Sequence, residues 1–161
     1  MITQNELKSL FYYEHETGNF ICKKASGRLK VGDICGNKNH DGYMRIRINY
    51  KHYASHRLIW LYVYGEFPKN EIDHINGIKH DNRLCNLREA TRSQNSLNRA
   101  ITKRNTSKFK GVTFNKKTNK WQSQASFNNK YYYLGSFEKK EDAYNKYCEF
   151  SKKHHGEFIR L

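Results

Sequence analysis

The sequence has few of the features that zinc-braced, disulfide-braced or membrane proteins need. Its four cysteines, Cys22, Cys35, Cys85 and Cys148, include no CxxC pair, which argues against a zinc site and a disulfide scaffold and favours a reducing compartment. No apolar run is long enough to span a bilayer, and the first residues, MITQNELKSLFYY, lack the pattern of a signal peptide. We therefore expect a cytoplasmic protein, not secreted and without a membrane partner.

Acidic residues are also scarce. The chain has 30 Lys and Arg against 15 Asp and Glu, a formal net charge of +15, and no acidic residue lies between Glu89 and Glu138. Ten basic residues fall in that stretch, whereas an ordinary solvated surface mixes both signs. A polyanionic partner is indicated. The charge predicts a nucleic-acid partner, and by itself it leaves an RNA-binding protein open as an alternative to a protein that binds double-stranded DNA.

Low hydrophobicity favours several small modules over one large core. Hydrophobic residues make up 37% of the 161 residues, and the mean hydropathy is −1.00. We divide the chain into a β-rich region at 1–55, a central segment at 56–100, a polar linker at 101–107 and a C-terminal module at 108–161.

Period-two and helical patterns support this division. Met44, Ile46 and Ile48 alternate with polar residues, which predicts a half-buried strand that turns into a second strand at 52–54. The apolar run at 57–64 predicts a short helix that ends at Gly65. Three strand-like runs and a helix at about 138–154, ended by Gly156, are predicted in the C-terminal module.

The central segment contains the residues best suited to chemistry. Asp73 can hold a hard cation through oxygen, and the neighbouring His74 can take up a proton near neutral pH. Thr91 and Gln94 match a capping box, which places Asn95 in the first turn of a helix with its amide oxygen toward the preceding hairpin. The predicted order is strand, loop, strand, helix.

The string IDHINGIKHDNRLCNLREATRSQN resembles the ββα-metal motif of phage and intron-borne HNH endonucleases, in the subtype that ends in Asn. The resemblance covers about residues 43–100. It implies that the catalytic residues are His74, the general base, and Asn86, which braces the loop, and that Asp73 and Asn95 are metal ligands. His56, Arg83 and Arg88 lie near enough in sequence to support this site or contact phosphates, although packing or solvation explains them equally well.

The same resemblance implies one divalent cation, Mg²⁺ first and Mn²⁺ as the alternative, with no zinc and no small-molecule cofactor. Two protein ligands suffice because Mg²⁺ keeps waters and takes other ligands from substrate phosphate. His74 would activate water for in-line attack on phosphorus, leaving 5′-phosphate and 3′-hydroxyl ends. With one centre we expect a monomer, which would cut one strand at a time.

The C-terminal landmarks KGV, KW, YLGSF, EDAY and HGEF resemble, in order, DNA-binding domains of the APETALA/ethylene-response-factor type. The resemblance implies a three-stranded antiparallel sheet in the major groove with a helix packed behind it. Residues that match the DNA-facing positions are Lys110, Thr113, Asn115, Gln124, Ser126, Tyr131 and Tyr133. Four further lysines, expected at phosphates, are Lys116, Lys117, Lys120 and Lys130.

Together these observations predict an α+β chain with three parts: an N-terminal β-rich region, a ββα-metal HNH nuclease centre and a C-terminal three-stranded antiparallel sheet packed on one helix. The function expected is a metal-dependent, homing-type DNA endonuclease like those of phages. The alternative is a non-catalytic DNA-binding transcriptional regulator with a vestigial nuclease motif.

Overall fold

The protein, described by a computed structural model over residues 1–128 and 130–159, divides into two compact units, Met1–Asn95 and Ser96–Leu161. Each mixes helices with small antiparallel sheets, as the predicted α+β class requires. The division lies ahead of the predicted linker at 101–107. Residues 129, 160 and 161, which belong to the predicted C-terminal module, lie outside the described residues.

The first unit begins with a helix that the sequence analysis did not predict. Helix α1 spans Gln4–Leu10, and Thr3 caps it: the Thr3 hydroxyl accepts from the backbone of Glu6, whose carboxylate accepts from the backbone of Thr3. The sequence TQNE contains this capping box, so the helix could have been recognised. The buried Leu7 anchors it to the core.

Two three-stranded sheets follow, in the orders β1-β2-β3 and β4-β5-β6. Their strands are β1 (Phe11–Glu14), β2 (Asn19–Cys22), β3 (Ile34–Cys35), β4 (Asn37–Lys38), β5 (Met44–Ile48) and β6 (Lys51–Ala54). The predicted alternation in β5 is confirmed, because Ile46 and Ile48 are buried while Arg45 and Arg47 are exposed. Both sheets contribute to a single hydrophobic core.

The expectation that no disulfide braces the fold is wrong for one pair. Cys22 and Cys35, on neighbouring strands β2 and β3, are joined by a disulfide, whereas Cys85 and Cys148 are free. The absence of CxxC spacing does not prevent such a bond, because sheet pairing brings together residues that are 13 positions apart. The cysteine spacing therefore carries no argument about the compartment.

The predicted order of strand, loop, strand and helix is confirmed in the central segment. Helix α2 (Ser55–Tyr64) ends at Gly65, which has a φ of 85°, and precedes the antiparallel pair β7 (Glu71–His74) and β8 (Leu87–Ala90). Helix α3 (Arg92–Leu97) follows. Its capping box is present, because Thr91 and Gln94 each accept a backbone hydrogen bond from the other.

The second unit is a three-stranded antiparallel sheet with a helix packed on one face. Strands β9 (Val112–Asn115), β10 (Lys120–Phe127) and β11 (Lys130–Phe137) have the order β11-β10-β9. Helix α4 (Lys140–His155) starts two residues later than predicted and ends at Gly156. None of the helices in the described part of the chain is both long and apolar enough to cross a membrane.

Gly111 allows the helix and the sheet to approach closely. A Cβ atom there would lie 2.1 Å from Cδ2 of Tyr147 and 2.6 Å from the carbonyl oxygen of Gln124, at a φ of +66°. Both the steric overlap and the left-handed backbone exclude a larger residue.

We predict that Gly111→Ala destabilises the second unit by about 3 kcal/mol or more, because overpacking adds to backbone strain. The free energy of unfolding can be measured in urea by Trp121 fluorescence. Gly156→Ala is the matched control, since Gly156 also has a positive φ but a Cβ atom added there would meet no other atom within 4 Å. It should lose about 1–2 kcal/mol from strain alone, and equal losses for the two variants would contradict the packing argument.

Candidate active site

His74 lies at the end of β7 in a buried pocket of aromatic rings. Its side chain is 4% exposed, and its ring centroid lies 5.2 Å from that of His56 and 5.8 Å from that of Tyr43. Such packing restricts the rotation of the imidazole. The ring is therefore held in one orientation by its neighbours.

A hydrogen bond to Asn82 selects the tautomer of this ring in its neutral form. Nε2 of His74 lies 3.0 Å from Oδ1 of the buried Asn82, and a carbonyl oxygen can only accept. The proton of the neutral imidazole is therefore on Nε2, and the lone pair is on Nδ1. This is the form in which a histidine can act as a base.

Asn82 is itself fixed from the N-terminal sheet. The hydroxyl of the fully buried Tyr13 donates to the carbonyl oxygen of Asn82 at 3.1 Å and accepts from the backbone N–H of Leu84 at 2.9 Å. The turn between β1 and β2 lies against the same backbone: a Cβ atom on Gly18 would be 2.4 Å from the carbonyl carbon of Asn82. The β-rich region thus supports the loop that orients His74.

Asn86 joins the two ends of the loop between β7 and β8. Its Oδ1 accepts from the backbone of Asn76 at 2.9 Å, and its Nδ2 donates to the carbonyl oxygen of Asp81 at 2.7 Å. The contacts of this amide are those of a loop brace.

Asp73 is buried beside Arg88. The carboxylate is 3% exposed, and its Oδ2 accepts from Nε and Nη2 of Arg88 at 3.0 and 2.9 Å. The two residues face each other across the strand pair. Because burial of an unpaired carboxylate is costly, the ion pair with Arg88 offsets the cost of burying Asp73.

Asn95 reaches the hairpin through its nitrogen, whereas we expected its oxygen to face the hairpin. Nδ2 donates to Oε2 of Glu71 at 2.6 Å. Glu71 is two residues before Asp73 on β7, and side chains at that spacing share a face of a strand. Asn95, Glu71 and Asp73 therefore belong to the same side of the hairpin.

The three residues predicted to support the site, His56, Arg83 and Arg88, have different contacts. Arg83 binds the carboxylate of Asp81 through Nε and Nη2, at 2.8 and 2.6 Å, and is exposed. His56 lies in α2 beside His74, and its Nδ1 is enclosed without a hydrogen-bond partner. Of the three, Arg88 contacts a predicted ligand, His56 contacts the predicted base, and Arg83 supports the loop.

Burial dominates the electrostatics of both histidines. It lowers the pKa of His74, although the hydrogen bond with Asn82 and the charges of Asp73 and Asp81 act in the opposite direction. Burial, followed by the charges of His74 and Arg57, lowers the pKa of His56 to about 3. Both rings are therefore neutral at pH 7.

The donor atoms at this site suit a hard cation. Within residues 1–128 and 130–159 there is no group of three or more His, Cys, Asp or Glu side chains that could hold a metal ion. The candidate donors are instead the carboxylate of Asp73 and the amide oxygen of Asn95, and the carboxylate of Glu71 lies beside Asn95. Oxygen donors in small number fit Mg²⁺ or Mn²⁺, which keep waters in their coordination shells, and do not fit a structural zinc site.

A second candidate surface is the face of the C-terminal sheet opposite α4. The pairings Gln122↔Thr113, Gln124↔Tyr133 and Ser126↔Tyr131 place these residues on one side, while Ser123 and Ala125 are buried on the other. Neighbouring side chains interact, since Tyr131 donates to Gln124 and Gln124 donates to Thr113. The predicted residues that share this face are Thr113, Asn115, Lys120, Gln124, Ser126, Tyr131 and Tyr133.

The remaining predicted lysines surround or lie apart from this face. Lys116 and Lys117 lie in the turn between β9 and β10, and Lys130 begins β11; all three are exposed. Lys110 precedes β9, and its Nζ donates to the carbonyl oxygen of Leu97 at 2.8 Å. Lys110 is thus engaged within the second unit and lies outside the strands of the sheet.

One comparison with known proteins falls on the central segment. Residues 53–97 match the HNH endonuclease family. The chain is also similar to Protein 3.8 of Escherichia phage T7, with 38% identity over 74 residues, which are 45% of this chain and 61% of that protein. The chain thus covers less than two thirds of this relative, and no solved structure matches it significantly.

Sequence reasoning missed three residues of this site. Tyr43 and Asn82 contact His74, and Glu71 contacts Asn95. Only Glu71 had a usable signal, its position two residues from Asp73 on a predicted strand. The contacts of Tyr43 and Asn82 with His74 depend on how the residues before β5 and the loop after β7 pack around that ring. A local sequence pattern does not predict such packing.

We predict that His56 makes the fold sensitive to acid. Because its pKa in the fold is about 3 and its ordinary value is about 6.5, the neutral ring is favoured in the fold. Its contribution is complete above pH 6.5 and is lost as the pH falls toward 3. Between pH 7 and 5 the loss should be about 2 kcal/mol.

The measurement is the free energy of unfolding in urea at pH 7 and pH 5 for wild type and for His56→Phe, which retains a ring but cannot titrate. The variant should lose about 2 kcal/mol less than wild type over this interval. His52→Phe, an exposed ring on β6, serves as the control and should follow wild type. Parallel curves for wild type and His56→Phe would refute the prediction.

Proposed function

We propose that this protein is a divalent-metal-dependent HNH endonuclease of the phage homing type that hydrolyses phosphodiester bonds of double-stranded DNA. The observation that carries the proposal is a buried neutral histidine, His74, whose tautomer is set by Asn82 and which directly follows the buried Asp73 on β7. Both lie within the segment that matches the HNH endonuclease family. The phage relative is consistent with this assignment.

His74 serves as the general base. Since Nε2 carries the proton that it donates to Asn82, Nδ1 takes the proton from a water molecule as that water attacks the phosphorus atom. The histidine then carries the positive charge, which the nearby carboxylates of Asp73 and Asp81 favour. The leaving 3′-oxygen takes a proton from solvent, and the products have 5′-phosphate and 3′-hydroxyl ends.

Asp73 and Asn95 are the residues that would hold the cation. When bound, a divalent cation supplies positive charge that stabilises a phosphate oxygen and the leaving oxygen. Arg88 holds the Asp73 carboxylate in place through two hydrogen bonds, as outer hydrogen-bond partners of metal ligands do. Asn86 acts through the loop by holding Asn76 and Asp81 at fixed positions.

The C-terminal unit serves as the DNA-binding module. Its exposed sheet face offers amides and hydroxyls, of a kind that reads base edges, and a β-ribbon fits the major groove. The lysines around this face position the protein on phosphates without specifying sequence. Lys110 donates to the carbonyl oxygen of Leu97 in the DNA-free protein, and its contact with DNA stays a prediction.

We predict that wild type nicks supercoiled plasmid in Mg²⁺ and that His74→Ala lowers the rate by about 10²–10⁴-fold, the usual contribution of a general base. The rate of nicked-circle formation on a gel measures this. Removal of the cation with EDTA should abolish cleavage, and a monomer should yield nicked plasmid before linear plasmid.

His80→Ala is the matched control, since His80 is an exposed histidine of the same loop, and it should cut at close to the wild-type rate. If wild type and His74→Ala are equally inert on several DNA sequences while both bind DNA in a gel shift, the non-catalytic regulator is the correct function.

We also predict that the sheet lysines determine the salt dependence of DNA binding. Replacing Lys116, Lys117, Lys120 and Lys130 with Gln should lower the slope of log Kd against log salt by about 3–4, since each phosphate contact contributes about 0.9. Fluorescence anisotropy with a labelled duplex in the His74→Ala background measures it.

The control variant also loses four positive charges, but at or in helix α4: Lys139, Lys146, Lys152 and Lys153 are replaced with Gln. These residues lie at or in α4 behind the sheet, and their replacement should change the slope by less than about 1. Equal slopes for the two variants would contradict a DNA-binding sheet, and tighter binding to duplex RNA than to DNA would contradict the DNA partner.

A further inference from the structure

Each of the two candidate metal ligands forms a hydrogen bond with a charged residue of the hairpin. Asp73, an anion, is bound by the guanidinium of Arg88 on β8. Asn95, whose Nδ2 is a donor, is bound by the carboxylate of Glu71 on β7. The carboxylate of Asp73, which Arg88 binds, has two chemically equivalent oxygens. The amide of Asn95, which Glu71 binds, has an oxygen at one end and a nitrogen at the other.

The orientation of the Asn95 amide decides whether it can bind a cation. Only Oδ1 has lone pairs for a cation, while Nδ2 offers hydrogen atoms and would repel one. A rotation of 180° about the last side-chain bond exchanges the two ends at little steric cost. An asparagine ligand on a helix therefore needs a partner that distinguishes its ends.

Glu71 is such a partner because an ionised carboxylate accepts hydrogen bonds and donates none. Its Oε2 lies 2.6 Å from Nδ2, the short distance of a charge-assisted bond. With Nδ2 directed at Glu71, Oδ1 is directed to the opposite side of the amide. Strand alternation places Glu71 on the face of β7 that also carries Asp73.

We propose that Glu71 is a positioning residue that turns the Asn95 amide so that its oxygen is available to a divalent cation held with Asp73. This inference rests on the proposed function, since it assumes a cation at that pair. Glu71 acts through Asn95 and is not itself a ligand in this arrangement.

The test is the affinity of the full-length protein for Mn²⁺ without DNA, followed by the broadening of amide NMR signals around residues 71–95. Glu71→Ala should weaken Mn²⁺ binding by about tenfold or more, the usual effect of losing a partner of a metal ligand. Glu71→Gln should stay within about threefold of wild type, because a glutamine oxygen can still accept from Nδ2.

A double-mutant cycle distinguishes positioning from direct ligation. Asn95→Ala should weaken Mn²⁺ binding as much as Glu71→Ala, and the double variant should be no weaker than Asn95→Ala, because the two residues act as one unit. Additive losses would mean that Glu71 binds the cation independently, and equal losses for Glu71→Gln and Glu71→Ala would mean that only its charge matters. Either result overturns the proposal.

The matched control is Glu89→Ala, which removes a carboxylate from the same hairpin. Glu89 pairs with Ile72, accepts from the backbone of Asn70 and lies on the other face, so its loss should leave Mn²⁺ affinity unchanged. In the metal-free protein, Glu71→Ala should shift the Asn95 side-chain amide signals while circular dichroism stays that of wild type.

These readouts separate the two proposals. If wild type cuts DNA in a His74-dependent way but Glu71→Ala and Glu89→Ala bind Mn²⁺ equally, the positioning role of Glu71 is wrong and the nuclease assignment stands. If no variant cuts DNA but the expected order of Mn²⁺ affinities is found, the nuclease assignment is wrong and the role of Glu71 at the cation site stands.

Discussion

The hydrogen bond between His74 and Asn82 is the contact on which the chemistry of this site depends. It places the proton on Nε2 and the lone pair on Nδ1, and the bond holds only if the carbonyl end of Asn82 stays in place. The hydroxyl of Tyr13 on β1, more than sixty residues earlier in the chain, donates to the backbone carbonyl oxygen of Asn82 and so fixes the backbone from which that side chain extends. The N-terminal sheet thus supports the backbone of the loop that holds His74.

Charge is distributed unevenly between the central segment and the stretch that follows it. In the central segment the carboxylates near His74 have cationic partners, Arg88 on Asp73 and Arg83 on Asp81, so the fold tolerates a buried carboxylate. The charged residues between Glu89 and Glu138 are all basic, and much of that charge lies on the surface. Local neutralisation suits a site that binds one ion, and excess charge suits a surface that binds many phosphates.

Local patterns predicted the elements well but did not predict the contacts between them. Three predictions depended only on a few neighbouring residues, and each was confirmed: the alternation in β5, the capping box at Thr91 and the glycine that ends α2. The disulfide between Cys22 and Cys35 depends on strand pairing. The partners of His74 depend on a loop and on a sheet distant in sequence, so no short window contains them.

Asn95 illustrates that a sequence motif can predict which residue occupies a site without predicting which atom of its side chain faces that site. The motif places an asparagine in the first turn of α3, and helix geometry then directs it toward the hairpin. Which end of the amide faces the hairpin is decided by Glu71, a residue outside the positions that carry the resemblance. A nuclease site with an asparagine ligand therefore needs a hydrogen-bond acceptor next to the amide nitrogen, so that the amide oxygen faces the cation. A histidine ligand would need a partner only to select its tautomer.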